Sequence, residues 1–598
     1  MNSPRRIGSA RALAILLAAA AAAGTSPARA ALPTLGSHDH VAIKIEGVSS
    51  DIEANVRSYL TLSRYVERSD LSDTQVRRLA DRAVDEAADA LRPYGYYSPS
   101  IRSRTTYDAP NWIVRIKINP GDPVLMKTVA VQLSGAGRDD REFRRIIATS
   151  PLKPGARLSH PGYEALKTDL MRSAQERGFL DAKFTRRELL VDPTAPSAEA
   201  YLDFDTGSRY VFGDILIQQD VLEARKIHRY LRIARGQPYS VQQMHATQYA
   251  LEDSNYFASV AVTPGERDPA TLSVPIVIRG EPIRRDRYAV SAGYGTDTGL
   301  RGKLSWDRRR VNDLGHRLHA EVTASQIKQE AITTYVIPIG DPSLEKLEFS
   351  TDVVNEKIGD LRSKRVELSG GVTQVMGHWQ RVLFLKVDDE QTINPAAPDT
   401  HDWLLIPGIS FASLPPNFLT GWTRDAAYYF ELTGSPSSLG SDASYLRFYT
   451  RGERVWPVAG PWYLRLRGEL GTSWVDRFSQ LPASQRFFAG GDRSVRGFAL
   501  NELGPTEVAP DGTKTTVGGR NKIVGSIELE RDFPHNLRGA MFFDAGNAFD
   551  SWNTPLEYSA GLGVRLKLPM VMIGFDIAQA LSESGRRPRF HLNITQVL

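Results

Sequence analysis

Apolar and polar positions follow two different rhythms along the chain, and the change falls near Ile283. Before it, short β-rich runs alternate with helical faces. Val76, Leu79, Ala80, Ala83, Val84, Ala87, Ala90 and Leu91 recur at the spacing of one helix face. Ser72 and Gln75 just ahead of them predict a capping box, in which each side chain satisfies a free backbone donor. After Ile283 the period is two. Tyr288, Val290, Ala292 and Tyr294 alternate with Ala289, Ser291, Gly293 and Gly295. Leu300, Leu304 and Trp306 oppose Arg301, Lys303, Ser305 and Asp307, and Trp462, Leu464 and Leu466 oppose Arg465, Arg467 and Glu469.

Strict alternation predicts strands that separate two unlike environments. A soluble sandwich also alternates, but its inner faces are apolar. Here the polar faces carry Arg, Lys and Glu, the apolar faces carry Tyr and Trp near strand ends, and no helical pattern interrupts the run. That is the pattern of a transmembrane barrel with lipid outside and a polar interior. About 313 residues at roughly twenty per strand and turn predict a count near sixteen. The barrel is expected over residues 284–598.

The first half repeats three landmarks. A β-rich run opens each unit ("VAIKIEGV", "KTVAVQLSG", "YVFGDILIQ"). A helix then ends in an aromatic turn ("LRPYGYYSPSI", "AQERGFLDAKF", "LEDSNYFASVAV"). An alternating strand closes at Gly121, Gly207 or Gly280. The predicted order is strand, helix, helix, strand, strand, with Gly95, Gly178 and Asn255 in left-handed turns. These repeats resemble POTRA domains, α+β periplasmic modules that bind clients and partners through exposed sheet edges. The expected modules cover 31–120, 121–206 and 207–283.

The composition narrows the setting. Basic and acidic side chains number 74 and 69, an excess too small and too scattered for a nucleic-acid binder. The absence of cysteine excludes disulfides, thiol nucleophiles and cysteine metal sites. Arg5, Arg6 and Arg11 precede a short apolar run and the small residues Ala28 and Ala30, which predicts a signal peptide over 1–30 cleaved between Ala30 and Ala31. His38 and His40 lie just beyond, in an expected mobile tail. No Gly-x-Ser-x-Gly elbow is present. The chain is expected to be no enzyme and to carry neither cofactor nor metal.

One stretch resists this description: "RFFAGGDRSVRGF", Arg486 to Phe498. A phosphate-binding loop needs Gly-Lys followed by Ser or Thr and then a helix. This segment has Gly491-Asp492-Arg493-Ser494 and no helical face after it. It lies in a loop of about 475–518, too long for a tight turn and of the kind that is usually functional. In the next strand Ser526, Glu528 and Glu530 share a face, so a loop folded back into the barrel brings Arg496 towards Glu528. Gly497 is expected to let the chain turn there.

The stretch Gly490, Gly491, Asp492, Arg493, Val495, Arg496, Gly497 and Phe498 resembles the lid-loop signature of the POTRA-barrel superfamily of outer-membrane assembly factors and two-partner secretion transporters. "SIELE" and "FFDAGNAFD" are similar to its acidic wall segments and supply Glu528 and Asp544. The alternation does not place Asp544 cleanly, because Phe542 shares its parity. The resemblance implies that Arg496 meets Glu528, Asp544 or both.

Three modules before the barrel most resemble the TamA branch. That branch implies an outer-membrane component that inserts or secretes autotransporter-type β-barrel proteins, with an inner-membrane-anchored TamB-like subunit docking on the N-terminal POTRA. It also implies a lateral seam between the first strand (Tyr288, Val290, Gly293, Gly295) and the last (Phe590, Leu592, Ile594). Unfolded barrel clients and outer-membrane lipid are the other implied partners. The alternatives are a tether or conduit for lipid transport and a passive channel. The final strand departs from the family's pattern in ending on Leu598 rather than an aromatic residue.

Overall fold

The computed structural model describes residues 41–598 except 69–70, 109–110, 193, 415–425, 569–570 and 597–598. The expected signal peptide, its Ala30–Ala31 junction, His38, His40 and Leu598 lie outside the described residues. The chain forms two compact units. One comprises Met1–Val211 with Pro238–Ser240, and the other comprises Phe212–Gln237 with Val241–Leu598.

The first unit holds two modules of one pattern. In each, a three-stranded sheet has the last strand of the module in its centre. Asn111–Asn119 pairs parallel with Val41–Glu46 and antiparallel with Ser100–Asp108. Ser197–Asp205 likewise pairs parallel with Leu125–Ser134 and antiparallel with Lys183–Asp192. Two helices cover each sheet, Ser50–Tyr59 and Asp73–Leu91 in the first and Arg141–Thr149 and His160–Glu176 in the second. The long helix of the first module starts at the expected capping box. The Ser72 N–H donates to Gln75 Oε1 at 2.8 Å, and the Gln75 N–H donates to Ser72 Oγ at 3.4 Å. Its apolar stripe closes the core, with Val76, Ala83, Ala87 and Leu91 fully buried against Val114 and Ile116.

The second unit holds a third sheet and the barrel. The sheet order is Val211–Gln218, Ser273–Pro282, Phe257–Pro264, with the helix Val241–Asp253. Its first helix is shorter than the repeat predicts: Ala224–Ile227 is one turn, continued by the 3-10 turn His228–Tyr230. Leu231 then turns to extended backbone and ends it. Gly95, Gly178 and Asn255 all have positive φ, at 84°, 88° and 61°.

This third module is fastened to the turns at one end of the barrel. Arg229 donates to the Gly340 carbonyl at 2.9 and 2.7 Å. Arg232 pairs with Asp341 at 2.9 Å, and the buried Tyr256 hydroxyl donates to the Gly315 carbonyl.

The barrel closes with sixteen antiparallel strands, from Asp286–Gly295 to Arg589–Gln596. Leu300, Leu304, Ile527, Leu562 and Val564 point outward and are exposed, while Ser526, Glu528, Glu530 and Asp544 point inward and are buried. The wall is uneven. Strands beside the closure have 8 or 10 residues, whereas Leu361–Met376 on the far side has 16. About 9–11 residues suffice to cross a bilayer as a tilted strand.

Candidate functional site: lid and seam

The segment between the strands Trp462–Val475 and Asn521–Phe533 does not leave the barrel. It folds inward as a lid with two 3-10 turns and a small hairpin, Thr506–Val508 with Lys514–Thr516. Phe487, Ala489, Val495, Phe498 and Leu503 bury themselves against the wall residues Val524, Ala548 and Ala580. Apolar lid residues thus find an apolar patch on the inner face, and Leu404, Ile406 and Leu361 offer others to Leu481 and Phe488; burial of this kind is worth roughly 1.5–3 kcal/mol per large side chain.

Among the described residues Arg496 is the largest fully buried side chain, at 1 % exposure. Its Nε and Nη2 donate to the two oxygens of Asp544, both at 2.8 Å, a bidentate fork. Nη1 donates to Glu528 at 3.0 Å and Nη2 to Ser526 Oγ at 3.2 Å. The backbone N–H of Arg496 also donates to Asp544, at 3.1 Å. The guanidinium carbon lies 3.2 Å from the centroid of the Phe542 ring, so the cation rests on an aromatic face. Asp576 is 3.7 Å away and pairs chiefly with Arg565.

The structure therefore brings Arg496 to both acids, and Asp544 makes more of the bonds. The parity conflict of Phe542 and Asp544 also resolves, because both face inward and the ring forms the floor under the arginine.

Gly497 has a different task from the one its sequence position suggests. Its backbone is not left-handed; the positive φ values belong to Gly490 and Gly491, both 98°. A Cβ on Gly497 would lie 2.7 Å from the Ser559 Cβ and 2.8 Å from the Ala580 backbone. The residue is a glycine because the lid there touches the wall, and its N–H donates to Ser559 Oγ at 3.1 Å.

The lid also touches both strands of the closure. His591 Nε2 lies 2.7 Å from the Arg496 carbonyl oxygen. The Asp492 N–H donates to Asp297 at 2.8 Å, just past the first strand, and Asn593 Nδ2 donates to Asp492 at 3.3 Å. Arg493, beside Asp492, is exposed. Arg586 binds Glu502 and stacks 4.5 Å over Phe498. His591 and Asn593 were legible as the inward complement of Phe590, Leu592 and Ile594. Asp576 had the same signal, between the outward Phe575 and Ile577.

The closure itself is short. The first strand pairs with its sequence neighbour from Asp286↔Arg308 to Gly295↔Gly299. With the last strand, among the described residues, it forms the pairs Tyr294↔Ile594 and Gly295↔Asn593. The last strand pairs fully with its other neighbour, from Val571↔Gln596 to Ala578↔Arg589. Two further bonds extend the seam beyond the ladder, from the Thr296 N–H to the Leu592 carbonyl at 3.1 Å and from the Leu592 N–H to Thr296 Oγ1 at 3.3 Å.

Tyr288 and Val290 lie on the lipid face, 70 % and 74 % exposed. Phe590 is also outward and stacks on Phe575. At Gly293 an added Cβ would meet the Ile594 carbonyl oxygen at 2.9 Å. Among the described residues, the edge from Asp286 to Gly293 has no ladder to the last strand.

Comparison with known proteins agrees with this geometry. Residues 425–596 match the Omp85 superfamily domain, and residues 42–120 match the POTRA domain described as TamA domain 1. The chain is 23% identical over 532 residues to the outer membrane protein assembly factor BamA of Neisseria meningitidis serogroup B, covering 81% of this chain and 65% of that protein. It is 21% identical over 586 residues to the BamA of Nitratidesulfovibrio vulgaris, covering 92% and 71%. The chain thus spans about two-thirds of the length of these curated relatives. The crystal structure of BamA from Haemophilus ducreyi lacking POTRA domains 1–3 superposes with a TM-score of 0.66 at 17% identity, over 79% of this chain and 99% of that one. Residues 425–596 thus resemble an Omp85 superfamily domain, and the chain is a β-barrel protein of the outer membrane that carries its POTRA-type domains in the periplasm.

Proposed function

We propose that this protein inserts β-barrel clients of the autotransporter type into the outer membrane through the seam, as the outer-membrane component of a translocation and assembly module. The observation that carries the reading is the short closure, two residue pairs among the described residues. Unpaired strand edges are templates for another strand, and unsatisfied backbone groups cost several kcal/mol each in hydrocarbon. The edge Asp286–Gly293 offers a client strand its missing partners and is repaid in the same bonds. The work is exchange of backbone hydrogen bonds, without covalent chemistry. The lid packed inside the barrel weighs against a passive channel. The match of residues 42–120 to a TamA-type first POTRA domain supports a TamB-like inner-membrane partner docking on that module.

A disulfide across the seam tests this. Tyr294 and Ile594 are directly opposed, and the chain has no cysteine of its own. Oxidised Y294C/I594C should lose client assembly, and reduction should restore it. Full assembly with the cross-link formed overturns the proposal.

A further inference from the structure

A cavity of about 440 Å³ lies between the lid and the inner face of the strands Ala426–Ser435, Tyr445–Ala459 and Trp462–Val475. Arg451, Arg465 and Arg467 line it from the wall, and Arg493 lines it from the lid. Its acids among the described residues are Glu453 and Glu469.

The register sets each acid directly across from a cation, Glu453 opposite Arg467 and Glu469 opposite Arg451. Opposite charges so placed ordinarily pair. Here both acids turn to other cations. Glu453 binds Arg465, and Glu469 binds Lys522 at 2.6 Å and accepts from the Tyr449 hydroxyl at 3.4 Å. On its other side Arg467 is opposite Ser526, whose hydroxyl donates to Asp544 at 2.7 Å and accepts from Arg496. Glu528 and Asp544 are themselves held by Arg496. Among the described residues no ion pair reaches Arg451, Arg467 or Arg493. Arg467 Nε and Nη2 are closed off from solvent and have no hydrogen-bond partner. Burying part of a cation in this way is costly unless something pairs with it. Other inward arginines of the barrel are answered: Arg365, Arg447, Arg538 and Arg565 each bind a carboxylate.

We infer that this cavity binds an oxyanion, a carboxylate or phosphate group, held by Arg467 of the wall and Arg493 of the lid with Arg451 beside them. Guanidinium forks match the paired oxygens of either group. Such a ligand is a second tie between lid and wall. It uses neither Arg496 nor its acids, and it does not depend on what passes through the seam.

The test is binding to the full-length protein in detergent micelles, measured by calorimetric titration at constant ionic strength in chloride. The probes are inorganic phosphate and the peptide acetyl-Thr-Val-Thr with either a free or an amidated carboxyl end. The wild type should bind phosphate or the free-carboxylate peptide, and the amidated peptide should bind about tenfold more weakly than the free one. Tighter binding of the free-carboxylate peptide assigns the anion to a chain end, and tighter binding of phosphate assigns a free ion. R467Q and R493Q should each weaken binding about tenfold, the loss expected for a charge-assisted hydrogen bond. The bound probe should also slow protease cleavage of the lid in the wild type, and both variants should lose that protection. Heat-modifiable migration confirms a folded barrel, and R493Q decides the matter if R467Q does not fold, because its side chain is exposed. No binding of either probe by the wild type, or unchanged affinity in a folded variant, overturns the inference. So does an equal loss in R454Q, whose arginine shares the outward parity of Leu446 and is exposed, which would mark general charge attraction.

Discussion

The lid and the seam touch one another but are built on opposite principles. The lid has almost no ladder of its own. It is held by one buried cation on two carboxylates and by apolar side chains on a matching patch. The seam rests mainly on backbone bonds, with a ladder of two residue pairs among the described residues and a few contacts of Thr296 and Asp297 beyond it. A buried charge cluster is all-or-none, because losing one member strands the others without solvent. A short run of backbone bonds opens gradually, and each bond is worth only about 0.5–1.5 kcal/mol net. The lid is thus the part that resists, and the seam the part that yields. They communicate at His591 and Asn593, where the last strand holds the lid, and at Asp297 just past the first strand.

The largest effect should come from breaking the lid. In Arg496→Ala, Asp544 and Glu528 remain buried without their partner, a situation that typically costs about 3–5 kcal/mol. The barrel wall is continuous without the lid, so the heat-modifiable barrel should persist while the lid becomes accessible to protease. Client assembly should fall with it. Arg496→Lys should rescue only in part, since an ammonium cannot fork onto Asp544 while reaching Glu528 and Ser526. A protease-resistant lid in R496A would show that the apolar packing, not the cation, holds it.

Gly497→Ala should come next. The added methyl overlaps the Ser559 side chain and the Ala580 backbone, and the wall cannot retreat without breaking its own ladder. Overpacking of this kind costs about 1–3 kcal/mol. Because Gly497 adjoins Arg496, the lid should lift at the arginine first. Protease cleavage in the lid should rise to a level between wild type and R496A. Cleavage no faster than wild type would show that the wall is soft there.

These two predictions also mark what the chain displays before it is folded. The inward face of Asn521–Phe533 was legible from alternation, because a barrel wall has only two environments and Glu528 shares the parity of Ser526. Phe542 and Asp544 were harder. An aromatic at an inward position contradicts the expected pattern, and the reason for it, an arginine arriving from a loop 46 residues earlier, is tertiary. The extent of the seam was not legible at all. The number of pairs between first and last strands depends on the stagger with which the whole sheet closes, and no local pattern in "YAVSAGYG" or "RFHLNITQVL" encodes it.

The smallest effect on stability should come from the seam. Gly293→Ala places a methyl 2.9 Å from the Ile594 carbonyl oxygen, which pushes the last strand away from the first. In compensation, replacing glycine by alanine in an extended segment recovers roughly 0.5–1 kcal/mol of backbone entropy. With only two pairs at stake, the two effects should nearly cancel, leaving the unfolding transition within about 1 kcal/mol of wild type. The seam itself should still respond. In a Y294C/I594C background, G293A should lower the yield of the disulfide, because the Cβ atoms no longer reach bonding distance. The same substitution should leave protease protection of the lid unchanged, since the lid is tied to the last strand through His591 and Asn593 and not through the ladder. A lid that loosened together with the seam would mean that the first strand, by way of Asp297, carries the lid as well.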